Sequence, residues 1–272
     1  MDSKVISART WGVIAFGLIA SAGSMVLVRM GAGDSEAMTA LVANMGSLLT
    51  DGLVAALALW AAFQFGAHES PRKQWLFIGS GMTVFLIGDA IWAYYEAVLR
   101  TEIPFPGPPD LFYLALFPLT ATGLVFAFKS FSAVLHQRKP LVVASVVTLL
   151  VMAALWLPVF KPALADTGTT GLARILGLLY PLADLWLLFF PALALSILLS
   201  RLAGGELSWP WWLVVVGCVL FALADTLFLI TRSAGTYASG SYLDLGWWLG
   251  CTAIAVGASL AVDVQKSKRF RA

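Results

Sequence analysis

Apolar runs of about twenty residues recur along the whole chain, each closed by charged residues or by a Gly/Pro-rich break. They predict helices at residues 10–30, 40–65, 74–99, 109–129, 140–160, 172–200, 210–231 and 241–264. A helix rises about 1.5 Å per residue, so each is long enough to cross a hydrocarbon core roughly 30 Å thick. The expected fold class is all-α and integral to the membrane, with about eight transmembrane helices in residues 1–264 and a basic tail at 265–272. Composition agrees: 60% of the 272 residues are hydrophobic and 12% are charged, against roughly 25% charged in a soluble domain. The short loops leave no space for a soluble catalytic domain.

Lys4 and Arg9 ahead of an apolar run, with Ala20-Ser21-Ala22 inside it, resemble a cleavable signal sequence. The run extends from Trp11 to Val28, longer than a usual signal core, and the reading keeps it as a helix.

An even number of spans puts both termini on one side, and Lys and Arg are retained in the cytoplasm during insertion. Twelve fall on the terminal side: Lys4, Arg9, Arg72, Lys73, Lys129, Arg138, Lys139, Arg201, Lys266, Lys268, Arg269 and Arg271. Five fall on the other: Arg29, Arg100, Lys161, Arg174 and Arg232. The expectation is a protein of the cell membrane with both termini cytoplasmic. Trp11, Trp75, Trp209, Trp211 and Trp212 lie near predicted cytoplasmic ends and are read as interfacial anchors. A net charge of +2 gives no electrostatic footprint for a nucleic acid, so the lipid bilayer is the expected partner.

Two similar segments divide the chain. Gly88 to Trp92 (GDAIW) followed by Pro108 to Leu114 (PPDLFYL) matches Ala224 to Phe228 (ADTLF) followed by Tyr242 to Trp248 (YLDLGWW). Asp89 to Asp110 is 21 positions and Asp225 to Asp244 is 19; upstream, Asp51 precedes Asp89 by 38 and Asp184 precedes Asp225 by 41. Three acids thus match between a half at about 10–130 and a half at about 140–264. Four helices return the chain to its starting side, so the expectation is two tandem four-helix repeats of the same orientation, related by an axis along the membrane normal.

A carboxylate at the bilayer centre costs about 2.5–3.5 kcal/mol, so such residues usually face a bundle interior or a wet cavity. Counting along the helices puts Asp51 and Asp184 near mid-membrane and Asp89, Asp110, Asp225 and Asp244 in the outer half. Asp110 and Asp244 open helices, which suits N-terminal capping as well as a cavity. Asp89 and Asp225 suit pairing with Arg100 and Arg232, or hydrogen bonds from Trp and Tyr of neighbouring helices, as well as ligand contact. For Asp51 and Asp184 a cavity-lining role is favoured. Trp92, Tyr113, Trp186 and Trp247 crowd the same level, either as an interfacial belt or as the walls of a site for a cationic or amphipathic ligand. These ten residues form the candidate cavity.

His68 and His136 lie in loops, so neither an intramembrane haem site nor a Ser/His/Asp site has its imidazole. No P-loop, HExxH or GxSxG occurs. Cys218 and Cys251 sit in apolar runs and are read as small core residues. The expectation is no enzyme, no cofactor and no metal.

Gly88-Asp89, Trp92, Pro104, Pro106, Pro109-Asp110, Tyr113-Leu114 and Phe117-Pro118-Leu119 together resemble the multi-pass N-terminal sensory regions of bacterial, especially actinobacterial, diguanylate cyclases and PAS-linked signalling proteins. The stretch from Ala224-Asp225 to Asp244-Leu245-Gly246-Trp247 is similar to the last two spans of that class, and the likeness covers roughly 50–130 and 180–262. It implies a sensory input module working with a cytoplasmic signalling domain or partner. This chain departs from the class by stopping at Lys268-Arg269-Phe270-Arg271-Ala272, which suits either an excised input module or a free-standing relative with a lipid-binding tail.

The leading expectation is a membrane-embedded sensory or signalling-input module with an outward-facing acidic and aromatic cavity. The alternative is a small solute or proton-coupled transporter, for which Pro181 and Pro191 around Asp184 offer a helix break. A third is an assembly subunit whose acids are structural.

Overall fold

The computed structural model describes residues 6–31, 35–135, 139–165, 171–202 and 205–267, which hold helices and no strand. Lys4, His136, Arg138 and the tail from Lys268 to Ala272 lie outside the described residues. The helices are α1 (Ala8–Met30), α2 (Glu36–Phe63), α3 (Ser70–Ala93), α4 (Pro108–Leu135), α5 (Lys139–Ala154), α6 (Lys161–Ala165), α7 (Gly171–Ala183), α8 (Phe190–Leu199), α9 (Trp209–Ser233) and α10 (Asp244–Lys266). Among the described residues, seven helical stretches are long and apolar enough to cross a membrane: α1, α2, Ser70–Leu99, Pro108–Ala133, Gly171–Leu199, Glu206–Arg232 and α10. An eighth arises if α5 and Trp156–Ala165, bent by 48° to each other, form one span.

Local chemistry sets the starts and the irregular turns. Ser7 and Ser35 accept hydrogen bonds from the N–H groups of Thr10 and Met38, and so cap α1 and α2. Pro71 and Pro210 open α3 and α9, where a missing N–H costs nothing. Pro181 and Pro191 cannot donate to the preceding turn, and the backbone between them widens into a π-helical turn at Asp184–Phe189. Pro158 stands inside a second such turn, Trp156–Phe160, at the bend after α5.

Helix α10 is the most enclosed span and packs against α1, α2 and α9, while α3 lies between α2 and α4 and α8 contacts α4, α5 and α9. Small residues bring two of these pairs together. A Cβ on Gly123 of α4 would stand 2.8 Å from the Gln74 carbonyl oxygen of α3, and one on Gly257 of α10 would stand 2.7 Å from that of Pro210 in α9. Backbone cannot step aside as a side-chain tip does, so Gly257→Ala is expected to cost about 1–3 kcal/mol. Thermal unfolding in lipid nanodiscs reads the effect, and an unchanged midpoint would mean that the α9–α10 seam has slack.

Three aromatic pairs run down the centre between α3 and α9. Trp75 stacks on Trp211 with centroids 5.2 Å apart, Phe85 meets Phe221 at 5.2 Å, and Trp92 meets Phe228 at 6.2 Å. This corrects the anchor reading of two tryptophans. Trp75 and Trp211 are 0% and 5% exposed because each presents its ring to the other helix, while Trp11 and Trp212 do reach the surface.

The described starts and ends of the chain meet. Arg9 of α1 forms an ion pair with Asp263 of α10, the same carboxylate accepts from Ser7 N at 3.0 Å and Thr10 Oγ1 at 2.6 Å, and Thr10 and Ser259 hydroxyls lie 2.7 Å apart. The opposite end of the bundle is the distal end.

Candidate functional site

Four helices bring carboxyls into the distal half: Asp89 ends α3, Asp110 begins α4, Asp225 lies late in α9 and Asp244 begins α10. All four line one cavity of about 400 Å³, which Trp92, Tyr113 and Trp247 also line. Seven of the ten residues picked from the sequence therefore share one space. Asp51 and Asp184 stand behind it, facing the carboxyls of Asp89 and Asp225 respectively. Trp186 is elsewhere and packs on Phe190 at 5.8 Å.

The two sides of the cavity are wired alike. Tyr113, three residues past Asp110, donates its hydroxyl to Asp89 Oδ1 at 2.7 Å; Trp247, three residues past Asp244, donates its indole N–H to Asp225 Oδ1 at 2.7 Å. An i, i+3 step keeps both residues on one helix face, so the helix that opens with an acid also supplies the donor for the acid on its neighbour. Asp89 and Asp225 are thus held by a phenol and an indole. The arginine pairing considered for them is absent: Arg100 is exposed, and the Arg232 guanidinium lies 5.0 to 5.7 Å over the rings of Phe105, Phe228 and Trp92.

Asp110 and Asp244 satisfy backbone N–H groups at the starts of their helices, as the capping reading expected, and do so by reaching backward. Each reaches back to its preceding loop, Asp110 accepting from Gly107 N and Asp244 from Gly240 N, both at 2.6 Å. Gly240 does this at a φ of 91°, in the region that glycine adopts without steric cost. The remaining lone pairs accept from Tyr180 at 2.6 Å for Asp110, and from Tyr237 at 3.1 Å for Asp244. Tyr237 sits in the loop between α9 and α10. Burial, reinforced by the Asp244 carboxylate, pushes its phenol well above the ordinary range, so it stays a donor.

Asp51 and Asp184 are buried with few donors, each against a second carboxyl, Asp89 and Asp225. Asp51, 1% exposed, accepts from Cys251 Sγ at 3.1 Å through Oδ1, and its Oδ2 has no hydrogen bond. Asp184, 2% exposed, has none at either oxygen. Cys251 is therefore a donor as well as a core filler, whereas Cys218 is buried in the apolar core.

The sequence pattern did not single out Arg174, which lines the cavity with its Nε buried and unbonded, nor Tyr237. It also missed the clasp at the cavity edge in which Glu96 accepts from Asn44 at 2.7 Å and from Ser239 at 3.0 Å. The available signal was Arg174 itself, a charge one turn into an apolar run. Among the described residues, no group of three His, Cys, Asp or Glu is arranged to hold a metal ion.

Long apolar helices enclosing a distal polar cavity define a multi-pass membrane protein. Compared with protein-family models, curated proteins and solved structures, the chain matches none.

Proposed function

We propose that the chain is a sensory or signalling-input module of the cell membrane, which binds a ligand in its distal cavity and passes the result along α10 to the cytoplasmic end. The observation that carries this reading is the span of α10. One end supplies Asp244 and Trp247 to the cavity and Cys251 to Asp51, and the other supplies Ser259 and Asp263 to the latch with α1. A ligand favouring one position of α10 changes the latch in the same movement.

The topology belonging to this reading has eight spans, with the bent α5 segment as the fifth, and both termini in the cytoplasm. The excess of Lys and Arg on the terminal side supports that orientation. Two tandem four-helix repeats are supported by matched spacing and matched contacts. Trp75 and Trp211 each precede their acid, Asp89 or Asp225, by 14 positions, Phe85 and Phe221 by 4, and Trp92 and Phe228 follow it by 3. Each residue touches its own counterpart, as an axis between α3 and α9 would require. The likeness to diguanylate cyclase sensory regions supports an output through a cytoplasmic signalling domain or partner.

The test is a disulfide across the latch. Thr10→Cys with Ser259→Cys, in the full chain fused after Ala272 to a diguanylate cyclase, is expected to give outputs differing at least threefold between oxidised and reduced membranes. Equal outputs at equal expression would remove α10 as the transmitter.

The π-helical turn at Asp184, flanked by Pro181 and Pro191, favours a second reading as a transporter, because broken helices at buried acids are common in carriers. Liposomes separate the two: a carrier dissipates a solute or proton gradient, and an input module leaves it standing.

A further inference from the structure

We propose that the cavity takes an elongated zwitterion with an apolar body, its cationic end at Asp89 and Asp225 and its anionic end at Arg174 and Arg232. The inference rests on the reading of the cavity as a ligand site and names the ligand's chemical class.

The charges lining the cavity ignore each other. Four aspartates and two arginines line one space, yet among the described residues no ion pair joins an arginine to any of these acids. Charged groups in oil are normally spent on one another or on a guest. Asp89 and Asp225 lie close enough to interact electrostatically, and behind them stand the carboxyls of Asp51 and Asp184, one against each. This buried acidic end lacks a positive group. Trp92, Trp247 and Phe228 stand around it, and aromatic faces beside carboxylates suit an ammonium group.

The positive end lies on the same helix at a different level. Arg232 is seven residues beyond Asp225 on α9, a rise of about 10 Å toward the distal end. Its guanidinium lies over three rings and, among the described residues, pairs with no carboxylate. Arg174, on α7, adds a buried and unbonded Nε. Between the two levels the walls are apolar, with Phe228 and Leu229, three and four residues past Asp225, and Trp92, three past Asp89, among them. A guest that satisfies both ends therefore carries its opposite charges about 10 Å apart on an apolar frame. An amino acid is too short. An ω-amino acid of eight carbons fits, and so does an apolar tripeptide, whose extended backbone spans about 10 Å between amine and carboxylate.

The test uses the full chain in lipid nanodiscs and calorimetric titration with 8-aminooctanoate, Ala-Leu-Ala, octylamine, octanoate and 3-aminopropanoate. The expected result is that one of the two long zwitterions binds at least tenfold more tightly than the other three compounds, and the tighter of the two names the source. Asp89→Asn with Asp225→Asn is expected to weaken the long zwitterion and octylamine alike, at least tenfold. Arg232→Gln is expected to weaken the zwitterion and leave octylamine unchanged, with Arg174→Gln as a second variant if the first fails to fold. Octylamine binding as tightly as the zwitterions would overturn the proposal in favour of a plain cation site, and so would the absence of binding by every probe. Occupancy is read here without any output. A zwitterion that binds but leaves the fused cyclase unchanged would overturn the signalling reading and keep the ligand class.

Discussion

Asp184→Leu is expected to stabilise the protein by about 2–3 kcal/mol while abolishing the response of a fused cyclase. Asp184 is buried against the Asp225 carboxyl, and no N–H or hydroxyl group donates to either of its oxygens. Leucine keeps the branched shape and removes the desolvation cost of one of two carboxyls held face to face, and replacing a buried charged group by a hydrophobe often gains about 1–4 kcal/mol. Asp244→Leu is the contrast. It would orphan Gly240 N, Tyr237 and Ser241, at about 1–3 kcal/mol for each buried group left unbonded, and is expected to destabilise. Thermal unfolding of both variants in nanodiscs gives opposite signs. If Asp184→Leu proved destabilising, that acid would be holding helices together through the Asp225 carboxyl, and its burial would have no stability cost to explain.

Asp263→Ala is expected to lower stability by about 1.5–3 kcal/mol and to make the cyclase output independent of the distal side. The change leaves Arg9, Thr10 and Ser7 N without their common acceptor. It also frees α1 from α10 at the end where the output leaves the bundle. The measurement is cyclase activity beside the unfolding midpoint. An output that still follows distal conditions would show the latch to be a staple with no part in signalling.

Much of this arrangement is legible in one dimension. Run length gives the helices, and acids inside apolar runs give six of the residues around the site, because carboxylates in oil are costly enough to stand out. What escapes is the direction a side chain faces. Trp75 and Trp211 sit at interfacial depth, which made them anchors on paper, yet both turn inward to stack. Trp186 failed for a reason the helix period already holds: two residues from Asp184, it points to another face, whereas Tyr113 and Trp247 lie three residues from their acids and share a face with them. The backward reach of Asp110 and Asp244 depends on loop backbone at Gly107 and Gly240, which leaves no mark in a hydropathy pattern.

Glu96 stands seven residues past Asp89, and Arg232 stands seven past Asp225. Two identical subunits pairing through this surface would have put like charges at both places and made a mouth with no front or back. A single chain holding two repeats, as proposed above, is free of that constraint. Here one position holds an acid clasped to Asn44 and Ser239, and the other a guanidinium lying on aromatic rings. For the zwitterion proposed above, a rim so divided would tell head from tail.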